Sequence, residues 1–224
     1  MDWQAIRLTA ELAAIVSAIL LIVSLPLAHW LTTSRRRWTL LVESIVSLPL
    51  VLPPAVLGFY LLMAMGSRSP IGRWWTAWTG HPLAFTFEGL VFASVIYSLP
   101  FAVQPIAAAL AQVDPALAEA SATLGASRLR TFLQITLPLS LDGVIAGIVL
   151  SFAHTVGEFG VVLMVGGNLP GVTRTVSISI YDNVQALEYG QASLTALVLM
   201  VFSFVVLATV YGVRRRPWAA APLA

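Results

Sequence analysis

The sequence contains no cysteine and no lysine, and it carries little charge of either sign: only 10% of its 224 residues are charged. Without cysteine there is no disulfide, no thiolate metal site and no cysteine nucleophile. All twelve basic residues are arginine, and the net charge of +2 is too small an excess to argue for nucleic acid as a partner. The charged fraction is about half or less of what a soluble domain carries. With 58% hydrophobic residues and a mean hydropathy of +0.89, too little polar surface exists to cover a water-soluble globule. An integral membrane protein is the class that remains. No G-x-x-x-x-G-K-[ST] stretch is present, so the chain has no phosphate cradle of that type. The G-x-S-x-G and H-E-x-x-H patterns are absent too. No cleavable signal peptide is expected, because the first apolar stretch is too long for an h-region.

What is present is a set of long apolar segments. Five meet the requirement of roughly 20 residues for a membrane-spanning helix. They cover about residues 8–31, 40–65, 85–110, 144–165 and 191–213. None alternates with the strand period, so a β-barrel is excluded and the expected fold is all-α, with five to six transmembrane helices in one domain over residues 1–224. The second segment contains Pro49, Pro53 and Pro54 and the third contains Pro100 and Pro105, which predicts kinks in both. Between them, Trp74, Trp75 and Trp78 at helical spacing predict a short interfacial helix at headgroup level. After the fourth segment, Gly166-Gly167 and Pro170-Gly171 mark tight turns. The stretch that follows is expected to run along the membrane or fold back into it.

The arginines set the expected orientation. Arg35, Arg36, Arg37, Arg128, Arg130, Arg214, Arg215 and Arg216 fall on one side of five spans, against Arg7, Arg68, Arg73 and Arg174 on the other. Eight against four places the first set in the cytoplasm, the N-terminus outside and the C-terminus inside. The protein is thus expected as a multi-pass component of the plasma (inner) membrane, surrounded by lipid.

Two features carry candidate function. His154 and Glu158, four apart in the fourth segment, are expected to share a helix face at membrane depth, where ionisable groups are functional by default. Catalytic zinc takes three protein ligands and this pair supplies two, so a polar pair packed between helices or lining a pathway is the stronger reading. The second feature is the island Glu119–Pro138, within the connecting loop 111–143. Glu119, Arg128, Arg130 and Gln134 prevent it from spanning, while its Ala and Leu content favours a compact surface helix. Ala120, Ser121 and Ala122 are small enough for a partner to approach closely, Glu119 supplies a charge near the helix start, and Gly125 allows the helix to end.

The island resembles a known signature. Glu119-Ala120-Ser121, then Gly125, then Ile135-Thr136-Leu137-Pro138 match, in residues and spacing, the EAA---G---------I-LP loop of the membrane subunits of binding-protein-dependent ABC importers. Ser121 in place of the third-position Ala is the one departure. The resemblance implies a type I ABC importer permease fold whose cytoplasmic coupling helix docks on a separate ATPase subunit. ATP and Mg would be bound by that partner and no cofactor by this chain, which would be a transport subunit and not an enzyme. A second copy of the chain would complete a homodimer, and an extracytoplasmic oxyanion-binding protein would deliver the substrate. Leu48–Pro54 with Gly58, Gly157-Glu158-Phe159-Gly160, and Gly167–Thr175 leading into Ile180-Tyr181 are similar to the molybdate permeases, and less so to sulfate and tungstate permeases. The resemblance therefore implies molybdate transport by alternating access. Pro53, Pro54, His154, Gly157, Glu158 and Asn168 are the candidates for pathway or gate. A tetrahedral dianion calls for hydrogen-bond donors and helix N-termini, so Glu158 is expected as a structural or gating residue bonded to backbone or to His154. An ion-coupled transporter would show inverted repeats, and none is visible.

Overall fold

The computed structural model describes residues 2–34 and 36–213. Arg35, Arg214, Arg215 and Arg216, four of the arginines used to orient the chain, lie outside the described residues.

Three long helices follow from the uninterrupted apolar runs: α1 (Trp3–Thr33), α5 (Phe87–Leu110) and α12 (Tyr189–Val213). The expected second and fourth spans are each two helices. The second breaks at Leu52–Pro53 into α2 (Trp38–Val51) and α3 (Pro54–Met65), with a bend of 115°. This exceeds the expected kink, because Pro53 and Pro54 in succession both lack an N–H and the residue before a proline is pushed to extended backbone. Leu52 is in that conformation, with ψ 136°. The fourth breaks at Glu158–Phe159 into α9 (Leu141–Gly157) and α10 (Gly160–Gly166). By contrast, α5 continues through Pro100 and Pro105. Each proline removes only its own hydrogen bond, and the helices packed along α5 hold it in place.

The core shows how these pieces traverse the bundle. α1 runs parallel to α5. Its Leu8 and Leu12 pack near Leu90 at the start of α5, and its Ala28 packs with Ile106 and Leu110 at the end. The broken pairs run the opposite way. Val46 of α2 joins the Ile106–Leu110 end, while Leu61 and Met65 of α3 join Leu83, Ala84 and Ala93 at the other. α9 lies close along α5. A Cβ on its Gly147 would stand 2.8 Å from the Ala102 carbonyl oxygen, the close approach that small residues give to helices in lipid. α5 is about 36 Å long, so α2–α3 and α9–α10, which join its two ends, extend over a length comparable to the hydrocarbon thickness; a further bend of 71° separates residues 128–139 from α9. Three helices are long and apolar enough to cross, and up to five spans result if each bent pair counts as one.

The connections complete the fold. α4 (Pro70–Thr79) is capped by Ser69 and is the expected tryptophan helix. Trp74 and Trp78 face outward, 65% and 74% exposed, while Trp75 packs against the core. The stretch after Gly171 forms α11 (Val176–Gln185), about 15 Å long and too short to cross. The backbone N–H of Val176 donates to the Thr9 hydroxyl of α1 at 2.9 Å.

Candidate functional site

The island between α5 and α9 is several short helices in place of the single one expected. α6 (Pro115–Thr123) begins four residues before Glu119, because Asp114 caps it by accepting from the Ala116 N–H at 2.9 Å and Pro115 occupies the first turn. Glu119 therefore sits in the second turn, not at the helix start, and is exposed. The helix ends as the glycine predicts. Gly125 has φ +81°, its N–H reaches the Ala122 carbonyl, and the Ala126 N–H reaches Ser121, the two bonds of a Schellman cap. Ser127 then caps α7 (Arg128–Thr131), a π-helical turn follows over Phe132–Thr136, and α8 (Leu137–Leu139) leads into α9.

Of the signature residues, Glu119, Ala120 and Gly125 face outward and Pro138 is exposed, whereas Ile135 and Leu137 are half-buried. Leu137 and Phe132 pack on the cluster of Ala28, Val103, Ile106 and Leu110. Ser121 points inward, 8% exposed, with its hydroxyl 2.8 Å from that of Thr131. It is therefore not part of the small outward face expected for Ala120–Ala122. Leu117 and Leu124, seven apart, are exposed apolar side chains on this polar island, Leu124 at 88%. The residue signature does not name them; their leucine-to-leucine helical spacing was the available signal. Between the island and the ends of α1 and α5 lies an open cavity of about 680 Å³, lined among others by His29, Asp114, Glu119 and Arg128.

The second candidate region lies where both broken spans break. Pro54, which opens α3, meets Gly160, which opens α10: a Cβ on Gly160 would be 2.7 Å from the Pro54 Cβ. Pro53, Pro54, Gly157 and Glu158 are thereby brought to one level. A Cβ on Gly157 would meet nothing within 4 Å, so this glycine borders open space. Glu158 is 4% exposed. Its Oε2 accepts from the Ser94 hydroxyl of α5 at 3.1 Å, the Val162 N–H lies against the carboxylate, and Oε1 has no partner.

His154 and Glu158 do not meet. α9 ends at Gly157, and the two side chains bond separate serines of α5 one turn apart, so they share a face toward α5 without bonding each other. His154 instead has its Nδ1 2.9 Å from the Ser98 hydroxyl, which is also 3.0 Å from the Thr155 hydroxyl. Its ring stacks on Phe101, centroids 3.8 Å apart. Serines 94 and 98 of α5, one turn apart, were not singled out from sequence; serine inside an apolar segment was the signal.

Asn168 sits elsewhere, in the turn before α11. Its amide donates to both oxygens of Asp182, at 2.9 and 2.7 Å, and its carbonyl accepts from Arg174 Nε at 2.7 Å. Arg174 also pairs with Asp182 at 3.5 Å. The structure does not bring Asn168 to the level of Glu158; it ties the 168–174 loop to α11.

Comparison with known proteins adds to this geometry. The family model for the binding-protein-dependent transport system inner membrane component matches residues 20–218. The chain is 50% identical over 215 residues to the molybdenum transport system permease protein ModB of Azotobacter vinelandii, covering 96% of this chain and 95% of that protein. It is 42% identical over 188 residues to ModB of Escherichia coli K12, covering 82% and 80%. To the sulfate transport system permease protein CysT of the same organism it is 31% identical, covering 85% and 68%. Among solved structures, it is similar to a bacterial alginate ABC transporter in complex with an alginate pentasaccharide-bound periplasmic protein. There the TM-score is 0.72 at 18% identity, over 95% of this chain and 78% of that one, a likeness of fold.

Proposed function

Because the chain belongs to the family of binding-protein-dependent transport system inner membrane components, we propose that it is the membrane-spanning subunit of an ATP-driven importer that carries molybdate across the plasma membrane. The fold is that of type I ABC importer permeases. The observation that carries the substrate is the 50% identity to a molybdenum permease along nearly the whole of both chains, against 31% to a sulfate permease.

In this reading the island is the coupling element. Glu119 and Ala120 on α6 and Gly125 in its cap form the outward face, with Leu117 and Leu124 as apolar contacts for a separate ATPase subunit that binds ATP and Mg. Ile135, Leu137 and Pro138 join that face to the bundle, and Ser121 supports it from within. Two copies of the chain enclose one pathway, and an extracytoplasmic oxyanion-binding protein delivers to the face that carries α4 and α11. The island and the C-terminus face the cytoplasm, and the N-terminus faces outside.

The gate belongs at the level where α2–α3 and α9–α10 are broken. Short helices that begin inside the bilayer expose N–H groups at their starts, which suit a tetrahedral dianion where fixed carboxylates would not. Pro53, Pro54, Gly157 and Glu158 stand at these breaks, and His154 is one turn below. Alternating access then consists of opening the Pro54–Gly160 contact in response to movement of the island. Asn168 holds the outer loop in shape for the delivering protein.

The test is ATP-driven uptake of molybdate by the reconstituted complex, with tungstate and sulfate as competitors. We expect molybdate uptake that requires ATP and the binding protein and that excess sulfate does not suppress. Uptake driven equally well by an ion gradient without ATP would overturn the importer reading. Suppression by equimolar sulfate would reassign the substrate to sulfate.

A further inference from the structure

The island and the outer loop lie at opposite ends of the bundle; α9 continues from the island and meets α11 through Ser177, and α1 touches both ends through side chains of its own. α1 is a continuous helix of 31 residues, about 46 Å long. At one end the Thr9 hydroxyl accepts from the Val176 N–H where α11 begins. There Gln4 also lies against Gly171, close enough that a Cβ on that glycine would be 2.5 Å from Gln4 Nε2. At the other end the His29 ring faces Phe132, centroids 4.6 Å apart.

Phe132 is also tied back to the inner side of α6. It follows Thr131, whose buried hydroxyl meets that of Ser121 at 2.8 Å. Ser121 lies on the inner side of α6, between the outward-facing Ala120 and Ala122. A line of direct contacts thus runs from the inner side of α6, through Ser121–Thr131 and Phe132–His29, along α1, to the first turn of α11. The helix takes up its π-helical turn at Phe132, and such turns concentrate at functional sites. Ser121 is the one position where the island departs from the signature it resembles. An alanine there would keep the helix and remove only the bond to Thr131.

We propose that α1 is the rod through which the island moves the outer loop, gripped by Phe132 on His29 and stiffened by the Ser121–Thr131 bond. The proposal rests on reading the island as the docking element for an ATPase. Phe132, His29 and Ser121 are positioning residues: they touch neither substrate nor nucleotide. Their loss should leave assembly and ATP hydrolysis in place while uncoupling the two faces.

The experiment uses the full complex of membrane chain, ATPase and binding protein in vesicles, and it reads the number of ATP hydrolysed per molybdate imported. For Phe132→Ala, His29→Ala and Ser121→Ala we expect wild-type ATPase content and a rise in that ratio of about threefold or more, in the range that coupling residues give. His29→Phe keeps a ring against Phe132 and should restore the wild-type ratio. Ser121→Ala is the mildest change and carries the test if a larger one fails to insert. An unchanged ratio in assembled Ser121→Ala and His29→Ala complexes would overturn the rod. So would loss of the ATPase from the His29→Ala complex, which would assign the contact to docking. Failure of the docking reading shows separately, as absence of ATPase from the purified wild-type complex, and it takes the rod with it.

Discussion

Glu158 is the residue whose surroundings are most demanding. Glu158 is 4% exposed, and the Ser94 hydroxyl is its one hydrogen-bonded side-chain partner among the described residues, beside the Val162 N–H. Removing that hydroxyl leaves a buried polar group without its side-chain partner, a loss of roughly 1–3 kcal/mol. Ser94→Ala should therefore lower the melting temperature of the purified protein by about 2–10 °C. A glutamine at 158 can still accept from Ser94 through its amide oxygen. Glu158→Gln is thus expected to retain ATP-dependent uptake and near-wild-type melting, while Glu158→Leu loses both. Normal uptake by the leucine variant would remove Glu158 from the gate. Sequence pointed to this residue as an ionisable group at membrane depth and expected it bonded to backbone or to His154; it is bonded to the Ser94 hydroxyl, with the Val162 N–H against it. The i, i+4 spacing puts both side chains toward α5, where Ser94 and Ser98, one turn apart, take one each.

The island can be tested as an element in its own right. Gly125 holds φ +81° with nothing within 4 Å of where a Cβ would be, so the constraint there is conformation and not space. A residue with a Cβ costs about 1–2 kcal/mol in that left-handed conformation, and asparagine tolerates it better than most. Gly125→Val or Gly125→Asp should disrupt the cap and abolish co-purification of the ATPase, while Gly125→Asn retains it; all three should still insert. Glu119 is exposed and without an ion pair among the described residues, so Glu119→Lys tests the surface alone and is expected to lose the ATPase with unchanged melting. Normal complexes from Gly125→Val and Glu119→Lys together would refute the docking role. The signature made the island legible because its spacing fixes where the chain must turn. It could not fix where α6 begins, which Asp114 and Pro115 decide outside the motif, nor that Ser121 faces inward, which depends on Thr131 ten residues later.

At the scale of the whole molecule, apolar length alone predicts five crossings, because lipid demands about 20 apolar residues of any helix that spans it, and the structure has three to five candidate spans. Length could not foresee that two of them would be broken at one level. That outcome depends on Pro54 meeting Gly160 from a segment about a hundred residues away in sequence, a contact no local pattern encodes. The parity of the crossings nevertheless survives the breaks, since α2–α3 and α9–α10 each connect opposite ends of α5. Parity and the arginine imbalance together predict a definite sidedness, and the absence of cysteine makes it directly measurable. Ala126→Cys places one thiol on the cavity beside the island, and His81→Cys places one on the exposed turn after α4, at the other end of the bundle. With a membrane-impermeant maleimide added outside intact cells, His81→Cys should be labelled and Ala126→Cys should not. Inverted vesicles should reverse the pattern. Labelling of Ala126→Cys from outside would put the island on the face without ATP, and no ATPase could then drive it.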